Sequence, residues 1–162
     1  MPSRISLRPI TPDDESFLYR VYASTREEEL KLVNWDEPSK TAFLQMQHRA
    51  QHQFYQSEFS DADYSVILWD GQPVGRLYVH RRVDEISIID IALLTEHRRA
   101  GIGGSLLRDL LGEADQAMKP VRIHVEYNNP AMHLYQRLGF VQIGDTGVYF
   151  HMERPPQPAA NR

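Results

Sequence analysis

The chain has 162 residues, 41% of them apolar, a formal net charge of −4 and no cysteine. That size suits one domain with its own core, expected over residues 1–154, with a disordered proline-rich tail at 155–162. The missing cysteine excludes disulfides, thiolate metal sites and a cysteine nucleophile. The acidic balance, with no basic stripe between aromatics, argues against nucleic acid as a partner. No apolar run is long enough to cross a membrane, and Pro2-Ser3-Arg4 leads straight into a strand, so no secretory leader is expected. A cytoplasmic protein is therefore expected.

In chain order, Ile5–Arg8 reads as a short strand. Thr11-Pro12-Asp13-Asp14-Glu15 is a helix start, with Thr11 as cap and acids in the first turn; Phe17, Leu18, Val21 and Tyr22 give that helix its apolar face. The helix is expected to fray within Arg26–Leu32. After a loop at Val33–Pro38, Ser39 is expected to cap a second helix that turns Phe43, Met46, Ala50 and Phe54 inward. Tyr64–Trp69, an Asp70-Gly71 tight turn and Pro73–Arg82 read as a hairpin. A turn near Val83-Asp84 then enters the β-branched, buried run Ile86–Leu94.

A polar turn, Thr95–His97, and the basic, glycine-rich Arg98-Arg99-Ala100-Gly101-Ile102-Gly103-Gly104 follow. From Ser105 the apolar residues Leu106, Leu107, Leu110, Leu111 and Ala114 recur at helical spacing. Strand, glycine-rich turn, helix is the layout of an anion site. The first-turn N–H groups and the positive end of the dipole point at one spot, and Arg98 and Arg99 add mobile charge. Two common phosphate loops fail here. A dinucleotide G-x-G-x-x-G from Gly101 needs glycine or alanine where Leu106 stands, and a P-loop needs a lysine that this turn lacks. Downstream, Val121–Tyr127 reads as a strand and Asn128–Ala131 as a turn. Ala131–Leu138 is a short helix with Leu134, Tyr135 and Leu138 inward, stopped at Gly139; Phe140–Ile143 and Val148–Glu153 are the last strands.

The Arg98–Gly103 segment fits [QR]-x-x-G-x-[GA], and Asn128–Phe140 reads N-x-x-A-x-x-x-Y-x-x-x-G-F. With the right strand before and helix after the first, and the right distance to the second, the chain resembles the Gcn5-related N-acetyltransferase (GNAT) superfamily over nearly its whole length. The resemblance implies an α/β (α+β) fold with a mixed, mostly antiparallel central sheet of about six or seven strands and about four helices; periodicity gives much the same order. It also implies acetyl-CoA (coenzyme A) as cofactor. Backbone groups at Leu93 and Leu94 would meet the pantetheine arm. Arg98, Arg99, Ala100, Gly101, Ile102, Gly103, Gly104 and Ser105 would form the pyrophosphate loop, and Asn128 would also meet the cofactor's arm. Arg99-Ala100 departs from the glycine-plus-basic pair frequent in the family.

Two residues stand out for the chemistry. Tyr135 matches the tyrosine that often protonates the leaving thiolate in relatives; its other reading is core packing. Asp90, a carboxylate inside the apolar run Ile88–Ala92, is costly there unless something uses or pairs it. It is expected as the base or as a ligand for the substrate ammonium. Glu126 and His124, on one face of their strand, are reserves, and an ordered water is a further route. His48 and His52 stand one helical turn apart but lack a third metal ligand, so a solvated helix face is expected there. Glu27-Glu28-Glu29 near Trp35 and Tyr22 offer an acidic, aromatic rim, with Glu27 expected to pair with Lys31. Tyr149 is placed near the substrate cleft by the resemblance.

The resulting expectation is a monomeric or homodimeric N-acetyltransferase that moves acetyl directly from the CoA thioester to a primary amine of a small molecule or peptide, with no metal. The alternatives are a catalytically silent acyl-CoA sensor of the same fold, and a protein that uses the Arg98–Gly104 loop for another phosphate.

Overall fold

The computed structural model describes residues 4–158. Pro2 and Ser3, where the leader is judged absent, and the last four residues of the expected tail lie outside the described residues. Seven strands form one sheet: β1 (Ile5–Pro9), β2 (Asp63–Trp69), β3 (Gln72–Arg81), β4 (Ile86–Leu93), β5 (Val121–Glu126), β6 (Val141–Asp145) and β7 (Tyr149–Arg154), in spatial order β1-β2-β3-β4-β5-β7-β6. The helices are α1 (Glu15–Thr25), α2 (Glu27–Lys31), α3 (Glu37–Glu58), α4 (Ile102–Gln116) and α5 (Met132–Arg137). The sheet is mostly antiparallel, with β4 and β5 parallel. No helix among the described residues is long and apolar enough to cross a membrane.

The chain forms two compact units: the N-terminal stretch through Leu77 with Ile91–Ala100, and Tyr78–Asp90 with Gly101 to the C-terminus. In the first, the β2–β3 hairpin turns on Asp70 and Gly71, both at positive φ (49° and 82°), as a tight two-residue hairpin requires. Asp14, 7% exposed, takes both ends of the Arg8 guanidinium (2.8 Å each) and the Thr11 amide. The Arg8 hydrogen bonds hold its carboxyl down at about 2 and fix the start of α1.

Three expectations for this unit are corrected. The Arg26–Leu32 segment contains a short helix, α2, whose Lys31 pairs with Glu28 rather than Glu27 (3.0 Å). The cap of α3 is Asp36, whose carboxylate accepts from Ser39 N at 2.8 Å; Ser39 sits inside the first turn behind Pro38. The inward face of α3 carries Leu44 and His48, while Met46 and Phe54 are 56% and 57% exposed. Polar side chains on that face find partners inside, Gln47 accepting from the Tyr22 hydroxyl and Gln51 from Arg76. A pattern read from apolar residues alone therefore rotates the helix wrongly.

In the second unit α4 buries Ile102, Leu106, Leu107, Leu110, Leu111 and Ala114, each large aliphatic contributing about 1.5–3 kcal/mol. Arg154 of β7, 6% exposed, forms a two-pronged pair with Asp115 of α4 (2.7 and 3.2 Å) and donates to the Leu138 carbonyl after α5. Gln157 N also donates to Asp115, so the start of the expected loose tail is held.

Gly75 of β3 lies against the end of β4: a Cβ there would stand 2.3 Å from the Ala92 carbonyl oxygen and 3.0 Å from Leu93 Cα. Gly75→Ala is expected to cost about 1–3 kcal/mol, read as a lower midpoint in urea unfolding; an unchanged midpoint would show that β4 yields freely. A second expectation concerns His48. Burial, then the Arg76 charge, pushes its imidazole from 6.5 down to about 4. The unfolded chain therefore binds the proton first, and stability present above pH 6.5 is lost as pH falls toward 4. His48→Gln should flatten that acid limb of Tm against pH.

Candidate active site

Leu93, Leu94, Arg98, Arg99 and Ala100 belong to the first unit; Asp90, Gly101–Ser105, Asn128 and Tyr135 belong to the second. In the first unit Leu94 is buried, its N–H given to the Val74 carbonyl (2.9 Å) and its own carbonyl taken by His97 N (2.9 Å). The Leu93 carbonyl accepts from Arg98 Nε at 3.0 Å, and the same guanidinium reaches the Ser24 hydroxyl at 3.3 Å. Arg98 is thus a positioned brace rather than the mobile charge expected. Arg99 is exposed, with a left-handed backbone (φ 63°).

In the second unit Gly101 caps α4 at φ 82°, a conformation suited to glycine, and the helix begins at Ile102, three residues before the expected start at Ser105. The helix begins early because buried Ile102 belongs to its apolar face. Gly103 and Gly104 therefore stand in the first helical turn, where N–H groups have no intrahelical acceptor, and no side chain caps them. The first intrahelical bond closes from Ser105 N to Gly101 O at 3.0 Å.

β4 and β5 pair over only three residues, Ile86–Ile88 with Val121–Ile123, although both strands run on. Asp90, half-buried, stands two residues past the last pair, level with a stretch of β5 that pairs with β7. Tyr135 of α5 is 3% exposed and lies edge-on against Phe140, ring centroids 5.7 Å apart. Burial, then the negative charge of Asp90, pushes its hydroxyl up to about 12, so the phenol keeps its proton across the physiological range. Tyr135 and Asp90 are thus close enough for the charge of one to act on the other.

After β5, Asn129 rather than Asn128 shapes the turn, its side chain accepting from Ala131 N at 2.8 Å; Asn128 is exposed. The reserve residues lie on the open face of β5 and β7. His124 stacks on His151 (4.3 Å), with burial and then the His151 charge lowering its pKa, and Glu126 stands opposite Tyr149. Among the described residues no three His, Asp or Glu side chains stand together as a metal site. Sequence reasoning missed Ser24, which holds Arg98, and Gly75, which shapes the end of β4. Only Gly75 carried a signal, a lone glycine inside a strand pattern.

The fold has many solved counterparts. An N-acetyltransferase, PaiA, from Thermoplasma acidophilum in complex with coenzyme A shares 17% identity over 93% of this chain and 98% of its own, with a TM-score of 0.69. The ribosomal-protein-S18-alanine N-acetyltransferase of Escherichia coli shares 17% over 98% of both chains at 0.63. A GNAT family acetyltransferase from Elizabethkingia anophelis with acetyl-CoA bound shares 15% over 95% of this chain and 99% of its own, at 0.60. No curated protein matches the chain. The acetyltransferase (GNAT) family model matches residues 19–140, a span that holds the Arg98–Gly104 loop, Asp90 and Tyr135. The chain belongs to the GNAT acetyltransferase family.

Proposed function

We propose that this protein is an acetyl-CoA-dependent N-acetyltransferase acting on a primary amine. The observation that carries this reading is the pairing of Asp90, two residues past the end of the β4–β5 ladder, with a protonated Tyr135 that feels its charge. The loop supports the cofactor. Gly101 in the left-handed region, glycines in the first turn of α4 and exposed Arg99 offer backbone N–H groups and positive charge to a pyrophosphate without a side chain in the way. In this reading Arg98–Ser105, Leu93, Leu94 and Asn128 hold acetyl-CoA, which supplies an activated acetyl thioester.

The chain's own groups then have distinct tasks. An attacking amine must be neutral. Asp90 takes the ammonium proton directly or through an ordered water, with Glu126 and His124 as further acceptors. In this reading Tyr135 serves the leaving sulfur, and burial with the Asp90 charge keeps its phenol protonated and available as a donor. Its contribution is a hydrogen bond aimed at charge growing on sulfur, available without reorganisation. Arg98 fixes the end of β4 by its bond to Leu93 O. Transfer is direct, because the chain has no cysteine to carry an acyl group.

Tyr135→Phe is expected to lower turnover about a hundredfold with little change in acetyl-CoA affinity, and the wild-type rate should show no basic limb below pH 10 from this residue. Unchanged turnover would return Tyr135 to core packing. Gly103→Glu should abolish acetyl-CoA binding in calorimetric titration, by setting bulk and negative charge against the pyrophosphate; retained micromolar binding would remove the loop from the site.

A further inference from the structure

The first unit contains a cavity that the transfer chemistry does not use. It lies between the end of β1, the start of α1, the inner face of α3 and the start of β2, with a volume of about 580 Å³. A smaller one of about 240 Å³ shares Glu15 and His48 with it. The larger is of the size that encloses small organic ligands. It sits at the far end of α1 from Ser24, the residue that holds Arg98, roughly 13 Å away along the helix axis.

Its chemistry has one sign. Glu15 and Asp63 bring carboxylates, and His48 and His52 bring imidazoles one helical turn apart, with ring centroids at 6.3 Å. No lysine or arginine lines it; Arg49 lines the smaller cavity. His48 is 4% exposed, and its Nδ1 has no hydrogen-bond partner among the described residues. Burial keeps that imidazole neutral near pH 7, with Arg76 and His52 working the same way and Glu15 against them. The wall therefore offers negative charge and uncharged acceptors, over an apolar floor that includes Leu18 and Tyr64. A group with several N–H donors and one positive charge matches such a wall.

We propose that this cavity is a second ligand site, which takes a small aliphatic ammonium compound between Glu15, Asp63 and the His48–His52 pair. The site is independent of the acetyl-transfer reading. The test is calorimetric titration of the full chain at neutral pH, without CoA, using n-butylamine and 1,4-diaminobutane as probes and n-butanol and butyrate as controls. The same titrations on Asp90→Asn, which removes the carboxylate read as the amine's partner at the transfer centre, separate the two sites. One-to-one amine binding is expected in both proteins and none for the controls. Glu15→Gln should weaken binding about tenfold or more, and Ala62→Phe, which fills the cavity, should abolish it. Glu15 is exposed and Ala62 partly so, so an unchanged Tm verifies the fold of each variant. Absence of amine binding, butanol binding as tight as butylamine, or amine binding unmoved by both substitutions would overturn the proposal. Loss of amine binding in Asp90→Asn would assign the amine to the transfer centre and overturn the proposal as well.

Discussion

Two parallel strands that stop pairing after three residues impose the main constraint on this molecule. A buried strand normally satisfies its backbone through its neighbours. β4 and β5 begin that way at Ile86–Ile88 and Val121–Ile123 and then continue without each other. Each strand keeps its other neighbour, β3 beside β4 and β7 beside β5. β7 bonds β5 along its whole length, from Val121–Arg154 to Glu126–Tyr149. In the first unit Gly75 lets β3 approach the end of β4 closely, and Arg98 ties the Leu93 carbonyl. Within the second unit Asp90 stands two residues past the last pair, and its charge reaches Tyr135.

Buried charge serves the same end. Arg154 and Asp115 lie almost out of solvent, and their two-pronged bond carries additional hydrogen bonds to Leu138 O and from Gln157 N. A pair satisfied in this way is costly to break from one side, because the remaining charge is stranded. It links the end of α4, the end of α5 and β7, and so fixes the helix that carries Tyr135. The high pKa of that phenol is then a property of the scaffold. Tyr135 is kept dry by its own helix and by Phe140, and Asp90 adds the charge that disfavours ionisation.

Much of this was legible in the residues. The strand order, the glycine loop, the apolar face of α4 and the inward Tyr135 follow from periodicity and turn chemistry, which are local. The GNAT family followed from two motifs at the right separation. What escaped was non-local or polar. The inward face of α3 is set by Gln47, Gln51 and His48 meeting Tyr22 and Arg76 from other elements. The cap of α3 fell to Asp36, since the residue three before an open amide reaches it more readily than Ser39 in the turn itself. Arg98 looked like a free cation because no sequence rule foresees Ser24, more than seventy positions away, as its partner.

The sheet ends on β1 at one side and β6 at the other, and an open strand edge is a template on which another chain can pair. Each edge carries a different obstacle to such growth. On β1, Pro9 lacks an N–H, and Arg8 sits beside it with its charge committed to Asp14. On β6, the exposed Val141 and Ile143 would be a sticky ribbon, but the register breaks between Gln142 and Gly144 and twists the edge. The irregularity at Gln142–Gly144 is thus the feature of this border that works against edge-to-edge growth by another strand.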